Sequence, residues 1–393
     1  MTSISTKQTF KNLVKKICYI LVGAIVGLIV RENYSYLKSK PSFKPYVAVV
    51  VATQRIDFPL PLEFLRGFEQ EKKSKGKSFI EARNGCKVDI QTREDLGSVD
   101  QAVRVANELL SDKNCILVIG NSDSTLTEAT LDVFLKSTDP PSYILPIATA
   151  NDLITKAKTA GHGAVLRMVP DNANQAEVIQ RLIVSLVRRP RVALYVDEEN
   201  PVYSLNLSRD IASRVRSKGG SVVIEEKLGP SNSIYSSLPA WTSQKTPDVI
   251  VYVGVAHHGL LLIDQLSELK IGVPVIFTDG CMVGALQDNI LRIPNRAFVL
   301  SPVGIGLQKD RMPTYEPIGR DAYTLASMLL SSSSDCTRAK LRNYITISHT
   351  KQQSISLDGV AGKYLFNADG NNEGMDYKVY EITGGKLLPI LPT

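Results

Sequence analysis

The sequence contains few cysteines and histidines, and their spacing excludes several kinds of site. Its five cysteines (positions 18, 86, 115, 281 and 336) form neither a C-x-x-C pair nor metal-ligand spacings with the four histidines. An odd number of cysteines argues against a disulfide framework. We therefore interpret the cysteines as buried free thiols, and a bridge between Cys86 and Cys115 stays open as an alternative.

The adjacent pair His257 and His258 is typical of an exposed helix start rather than a metal site. No acid or cysteine lies at ligand spacing from the pair along the sequence. No metal is therefore predicted.

Motifs of common α/β enzymes and of nucleic-acid-binding proteins are also missing. The sequence has no G-x-S-x-G, no Walker loop, no H-E-x-x-H, and no G-x-G-x-x-G after its first predicted strand. The net charge of +7 would suit a nucleic-acid partner, but the basic residues are scattered in short clusters such as KKSKGK and RRPR. The sequence thus predicts no enzyme, no cofactor and no nucleic-acid partner.

Only one long apolar run is present, and it lies near the N-terminus. ICYILVGAIVGLIV (residues 17–30) follows Lys11, Lys15 and Lys16 and contains no charge. A membrane-spanning helix needs about 20 residues, which Leu13, Val14 and snorkelling lysines would supply. Because no A-x-A-like site ends the run, we predict an uncleaved signal anchor, with a cleaved signal peptide as the alternative. The remaining chain would then lie outside the cytoplasm.

The chain after the linker alternates between short apolar runs and amphipathic stretches. The first series of predicted strands is 46–52, 87–91, 115–120 and 142–147, with helices near 61–73, 98–111 and 125–137. A second series of strands is 191–197, 221–227, 248–254 and 273–279, with helices near 203–217, 232–240 and 257–269. Such alternation predicts βαβ units, parallel sheets and two Rossmann-like lobes of α/β class.

The last third of the chain is predicted to complete these two lobes, because it holds too few strands for a third sheet. A long helix is predicted at 315–332, a second at 335–345, and short strands at 363–367 and 377–382. The predicted domains are a membrane segment and linker (1–44), a first lobe (45–167 with 303–372) and a second lobe (168–302 with 373–393). The hinge crossings are expected near Arg167–Val169, Ser301–Val303 and Asn371–Met375.

Polar residues follow the predicted strands at the edge where two such lobes would face each other. Thr125 is the predicted N-cap of a helix, so Ser124 would lie at a positive helix end that favours an anion. Ala148 and Thr149 follow the next strand, and Tyr203 and Asp279 follow two strands of the second lobe. Hydroxyl donors from the first lobe would bind the carboxylate of a zwitterion in the crevice, and the acid of the second lobe would bind its ammonium. Ordinary helix capping and an Asp-Gly turn are the alternatives.

These stretches also carry a resemblance. YVAVVVATQ…LEFLRGFEQ, DQAVRVANELLSD…CILVIGNSDSTLT, PIATAND, VDEENPVYSLNL, FTDG and KYLFNADGN resemble, in this order, segments of the branched-chain amino acid (Leu/Ile/Val) family of type I periplasmic solute-binding proteins. The resemblance runs from about Pro45 to the C-terminus. It implies the periplasmic binding protein type I fold, with two lobes joined by a multi-crossing hinge.

The resemblance also implies residue roles. The carboxylate-binding serine of the family falls on Ser124 with strand-end ligands on Ala148 and Thr149, while the ammonium-binding acid falls on Asp279 and a lining tyrosine on Tyr203. The chain departs from the family where A-H-H (256–258) replaces an aromatic residue, and where RIDFPLP (55–61) replaces a small polar run.

The implied function is capture of a small polar ligand, in the first place an amino acid, for an ABC-type transporter. The alternative is a membrane-anchored sensor that reports the ligand to a partner signalling protein. The implied partners are the small molecule, the membrane through the N-terminal helix, and either a permease or a signalling protein.

Overall fold

The computed structural model describes residues 43–55, 59–82, 85–229, 235–238, 246–289, 296–304, 312–350, 355–383 and 386–390. The chain divides into two units, Met1–Lys44 and Pro45–Thr393, and the architecture below is that of the second. The predicted membrane helix (17–30) lies outside the described residues, as does most of the helix predicted near 232–240. No helix within the described ranges is long and apolar enough to cross a membrane.

A six-stranded sheet forms the centre of what we call the first lobe. Its strand order is β2-β3-β1-β4-β5-β6, and all pairs are parallel except β2 with β3. The strands are β1 (Tyr46–Val51), β2 (Phe79–Glu81), β3 (Lys87–Glu94), β4 (Cys115–Ile119), β5 (Ser142–Leu145) and β6 (Val165–Arg167). Every residue of β1, β4, β5 and β6 is buried, as expected for parallel strands covered by helices on both faces.

A seven-stranded sheet forms the centre of the second lobe. Its order is β15-β14-β11-β10-β9-β7-β8; the central strands are parallel, and β14 and β15 add antiparallel at one edge. The strands are β7 (Arg191–Asp197), β8 (Ser221–Leu228), β9 (Val249–Val253), β10 (Val275–Phe277), β11 (Ala297–Ser301), β14 (Lys378–Thr383) and β15 (Lys386–Ile390). A separate two-stranded ribbon pairs β12 (Ile355–Asp358) with β13 (Lys363–Phe366).

The described helices begin where the strands of each sheet end. They are α1 (Leu60–Ser74), α2 (Val99–Ser111), α3 (Ser124–Phe134), α4 (Asp152–Thr159), α5 (Asn172–Leu186), α6 (Pro201–Ser217), α7 (Ala256–Glu268), α8 (Gly284–Asn289), α9 (Glu316–Ser332) and α10 (Arg338–Thr350). The α/β fold class and the two sheets dominated by parallel strands are as predicted. The residue limits of the two lobes remain a prediction.

Late segments complete both lobes. Helix α9 packs on α1 through two glycines: a Cβ on Gly67 would overlap the Glu316 carbonyl oxygen, and one on Gly319 would overlap the Phe64 carbonyl oxygen. Arg338, at the start of α10, donates to the carbonyl oxygens of Cys115 and of residues at the end of α2. The strand predicted at 363–367 does not join either sheet, because it pairs with β12 in the ribbon.

The chain passes between the lobes after β6, after β11 and before β14. Arg167, which is 1% exposed, donates to the backbone carbonyls of Thr149 (2.8 Å) and Ala150 (2.7 Å) and to the Asn371 side chain. Burial lowers the pKa of this guanidinium to about 10. Arg167 thus fixes two of the expected hinge segments and the loop that follows β5.

Two details of the sequence analysis are wrong. The N-cap of α3 is Asp123 rather than Thr125, because the Asp123 carboxylate accepts a hydrogen bond from Leu126 N at 2.8 Å and the helix begins at Ser124. Cys86 is bonded to Cys336 instead of being free or bridged to Cys115, which is buried as a thiol together with Cys281. The partner of Cys86 lies 250 residues away along the chain, so sequence spacing could not reveal it.

Candidate functional site

A cavity lies between the two lobes, at the carboxyl ends of both sheets. Its empty space is about 310 Å³, including the part open to solvent. The first lobe contributes residues from α1, from the loops after β4 and β5 and from the segment before α9, and the second lobe from the loops after β7, β9 and β10. The lining residues are Leu60, Ser122, Asp123, Ser124, Ile147, Thr149, Asn200, Tyr203, Val255, Asp279, Gly280 and Tyr315.

Four of the five predicted site residues line this cavity. Ser124 and Thr149 stand on the first lobe, and Tyr203 and Asp279 on the second. Ala148 is buried in the core of the first lobe at 1% exposure and does not belong to the lining set. The structure therefore brings together the predicted hydroxyls and the predicted acid, and it leaves Ala148 beneath the surface.

Ser124 is held in place by the backbone of the neighbouring loop. Its Oγ accepts hydrogen bonds from Thr149 N at 3.2 Å and from Ala150 N at 3.3 Å. With two backbone donors on its lone pairs, the hydroxyl proton of Ser124 is left to point elsewhere. Ser124 can therefore donate a hydrogen bond to an acceptor in the cavity.

The N-terminal end of α3 has fewer free N–H groups for an anion than the sequence indicates. Leu126 N donates to the Asp123 carboxylate, Thr127 N to the Asp123 carbonyl and Thr125 N to the Asn200 side chain at 3.1 Å. Three of the first N–H groups of the helix are thus already bonded. Asp123 itself lines the cavity at 5% exposure, and burial raises the pKa of its carboxyl to about 6.

Asp279, in the second lobe, is the centre of a cluster of tyrosines that come from both lobes. The cluster consists of Asp279 itself, 3% exposed, and three hydroxyls that donate to it: Tyr203 at 2.6 Å, Tyr377 at 3.0 Å and Tyr315 at 3.4 Å. Burial, and then the nearby Asp279 carboxylate, raise the pKa of each tyrosine well above its usual range. The hydroxyls therefore remain protonated and keep donating to Asp279.

Sequence reasoning missed most of the cavity wall. Tyr315 and Tyr377 reach Asp279 from the segments before α9 and before β14, and no local pattern marks either residue. Asp123 and Asn200 lie in the loops after predicted strands, so the strand-end rule that selected Ser124 and Tyr203 could have included them. The apolar lining residues Leu60, Ile147 and Val255 carry no such signal.

Polar contacts join the two lobes beside the cavity. Asn200 Oδ1 accepts from Thr125 N and from Thr125 Oγ1 at 2.8 Å, and Val202 N donates to the same hydroxyl at 3.2 Å. Arg55 contacts Asp123 at 3.6 Å and Glu199 at 3.2 Å. These contacts place residues of the first lobe against the start of α6 and the loop before it.

The protein has two α/β lobes joined by three crossings of the chain, and a crevice lies between the carboxyl ends of both sheets. This architecture defines a bilobed solute-binding protein. A family model described as periplasmic binding protein matches residues 78–285, and the chain belongs to this family. Membership implies a location outside the cytoplasm. The family's proteins bind solutes and are not enzymes.

Named relatives confirm the resemblance to Leu/Ile/Val-binding proteins. A Leu/Ile/Val-binding protein of Rhizobium johnstonii is 26% identical over 196 residues, which are 50% of this chain and 51% of that protein. The aligned part thus spans about half the length of this relative. An amino acid binding protein of Pseudomonas aeruginosa is 23% identical over 314 residues, 76% of this chain and 80% of the relative.

A solved structure shows the same fold. The leucine-binding protein of Thermotoga maritima superposes with a TM-score of 0.74 and 15% identity, covering 88% of this chain and 98% of that one. This similarity establishes the fold alone, that is, the arrangement of lobes and sheets.

Proposed function

We propose that this protein captures a small polar solute, in the first place an amino acid, in the crevice between its lobes and delivers it to an ABC-type transporter. The observation that carries the proposal is the buried Asp279, which lines the cavity on the second lobe, while Ser124 and Thr149 line it on the first. The named ligands of the relatives support it, since one is a Leu/Ile/Val-binding protein and another an amino acid binding protein.

The hydrogen-bond donors and acceptors that line the cavity suit a zwitterionic ligand. A carboxylate offers about four lone-pair positions, and three tyrosine hydroxyls occupy three of those on Asp279. The remaining position can accept from a ligand ammonium, which needs such a partner once water is excluded. The ligand carboxylate would accept from Ser124 and Thr149, and the apolar residues Leu60, Ile147 and Val255 would receive a short side chain.

The alternative is a sensor that stays in the membrane and reports the ligand to a signalling partner. The basic-flanked apolar run at residues 17–30 supports a permanent anchor, which suits either role. Sequencing the N-terminus of the mature protein from a membrane fraction tests the anchor. A start beyond Val30 would exclude the anchor.

Neighbouring permease and ATPase genes would favour transport, and a neighbouring kinase gene would favour sensing.

Ligand identity is tested by a thermal-shift screen of the 393-residue chain against amino acids, amides and small carboxylates. A ligand that binds only the folded state raises the melting temperature. We expect a rise with at least one aliphatic amino acid. No rise with any amino acid up to millimolar concentration would contradict an amino acid ligand.

The role of Asp279 is tested by Asp279→Asn, which keeps the size of the side chain and removes its charge. Loss of one member of a buried charge pair costs roughly 2–5 kcal/mol, or about 30- to several-thousand-fold in affinity. Titration calorimetry with the identified amino acid measures the loss. Asp288→Asn, an exposed aspartate on α8, is the matched control and should bind like the wild type. Unchanged affinity in Asp279→Asn would exclude the ammonium contact.

A further inference from the structure

Three potential metal ligands converge at the edge of the second lobe, beside the crevice. Glu199 follows β7, and His257 and His258 lie in the first turn of α7. One ligand atom from each of these residues lies within 4.8 Å of the other two. No metal is predicted from the sequence, because no acid lies at ligand spacing from the histidine pair along the chain. The fold corrects this point by bringing Glu199 to the histidine pair.

His258 differs from the exposed helix start expected from the sequence, because its side chain is completely buried. Its Nδ1 lies 3.0 Å from the Asp197 Oδ1, and Asp197 is 1% exposed. A carboxylate accepts, so Nδ1 carries the proton and donates to Asp197. The lone pair of His258 then lies on Nε2, the nitrogen on the side of Glu199.

Asp197 is itself fixed by the backbone around the cluster. Its carboxylate accepts from Val255 N at 3.1 Å and from Glu199 N at 2.8 Å. A buried carboxylate that orients a histidine through its second ring nitrogen is the usual support of a metal-binding histidine. The same Asp197 therefore orients His258 and positions the backbone of Glu199.

The two oxygens of Glu199 face different partners. Oε2 accepts from Arg55 at 3.2 Å, whereas Oε1 lies 3.9 Å from the His258 Nε2. Ligand atoms around a tetrahedral zinc ion are about 3.4 Å apart, given bond lengths of ~2.0–2.1 Å. A shift of about half an ångström would therefore bring Oε1 and Nε2 to coordinating distance. His257, which is exposed, can rotate to add the third ligand.

We propose that Glu199, His257 and His258 form a binding site for a divalent transition metal of the zinc, cobalt or nickel type. Two imidazoles and one carboxylate suit these ions, whereas Ca²⁺ and Mg²⁺ prefer sites made of oxygen atoms. The site leaves a fourth coordination position for water or another donor. It is independent of the proposed amino acid contacts, since none of its three ligands lines the cavity.

The test is titration of the tag-free 393-residue chain with ZnCl₂ by calorimetry, in the absence of any solute, and with CoCl₂ by visible absorption. We expect one equivalent of Zn²⁺ to bind and Co²⁺ in the same tetrahedral site to give visible absorption bands. His257→Gln and Glu199→Gln should each weaken Zn²⁺ binding at least about tenfold, as should Asp197→Asn, which removes the support of His258.

Glu198→Gln is the matched control, since it removes the neighbouring charge outside the cluster, and it should bind Zn²⁺ like the wild type. Because His257 is exposed, His257→Gln should fold normally, and circular dichroism of each variant verifies this. Wild-type protein that binds no Zn²⁺ up to millimolar concentration would overturn the proposal, as would wild-type affinity in folded Glu199→Gln and His257→Gln.

Discussion

Asp123 places a carboxyl group at the start of α3, next to the hydroxyl of Ser124. Its side chain lines the cavity, and burial raises its pKa to about 6. The proposed site for the ligand carboxylate therefore has a second carboxyl group as its neighbour. Arg55 at 3.6 Å offsets part of the charge when Asp123 is ionised.

We expect the affinity for an amino acid to fall as the pH rises above about 6. A ligand carboxylate at Ser124 favours protonated Asp123, which is present below its raised pKa of about 6 and lost above it. Each pH unit above this value lowers affinity by up to about tenfold, because a proton must be taken up on binding. Calorimetry between pH 5 and 8 measures the slope.

Asp123→Asn is the variant that isolates this effect, since asparagine also caps helices well. It should bind an amino acid with little dependence on pH in this range. A wild-type affinity that increases with pH would mean that the group near Asp123 is cationic, and a basic amine would then be the better candidate ligand.

The residues that line the cavity were partly predictable. Ser124, Thr149, Tyr203 and Asp279 follow strand ends, and the carboxyl ends of parallel strands meet at one edge, so chain position alone placed them in the crevice. Tyr377 reaches Asp279 from 98 residues away, a contact that depends on how the last segment folds back. No local sequence pattern predicts a contact between residues so far apart along the chain.

At the scale of elements, the contact of α1 with α9 depends on two glycines. The overlapping atoms at Gly319 would belong to the backbone of α1, at Phe64 and Phe68, and cannot rotate away. Gly67 meets the backbone of Glu316 in the same way. The two helix axes are therefore closer than any side chain at these positions would permit.

Gly319→Ala should destabilise the protein by about 1–2 kcal/mol in urea-induced unfolding. Because the overlap is with backbone atoms, the cost lies in the upper part of the ~1–3 kcal/mol typical of overpacking, and the better helix propensity of alanine recovers at most about 1 kcal/mol. Gly284→Ala on α8 is the control, since a Cβ there meets nothing within 4 Å. Equal stability of Gly319→Ala and wild type would show that α9 can shift away from α1.

Most elements were predictable because the sheets are parallel and buried. Strands such as β1 and β4 are continuous apolar runs, and the amphipathic period of the helices between them is clear. The short strands β2 and β12 were missed, since three or four residues carry too little pattern, and the five-residue strands β11 and β15 were not predicted either. The disulfide was missed because Cys86 and Cys336 meet only after α9 and α10 have packed on the first lobe.

At the scale of the whole molecule, the lobes should close on the ligand by rotation about the three crossings. Small-angle scattering of the 393-residue chain should show a smaller radius of gyration at saturating ligand than without it. The contact of Thr125 with Asn200 and Val202 would form part of the closed state. An unchanged radius at saturation would contradict closure.

Thr125→Val tests whether these contacts favour closure, since Thr125 does not line the cavity. Loss of the hydroxyl removes about 0.5–1.5 kcal/mol from the closed state, which corresponds to roughly 2- to 12-fold weaker ligand binding. Thr159→Val, exposed at the end of α4, should leave affinity unchanged.

The late position of α9, α10 and the last two strands has a consequence for how the protein is made. The ribosome synthesises α1 long before α9, which packs on it, and it synthesises β11 before β14, its partner at the sheet edge. A nascent chain that lacks these segments exposes apolar surface and an unpaired strand edge, both of which promote aggregation. Neither lobe can fold completely before its late segments in the final hundred residues have been translated. Until then, the nascent chain must be kept from associating with other unfolded chains.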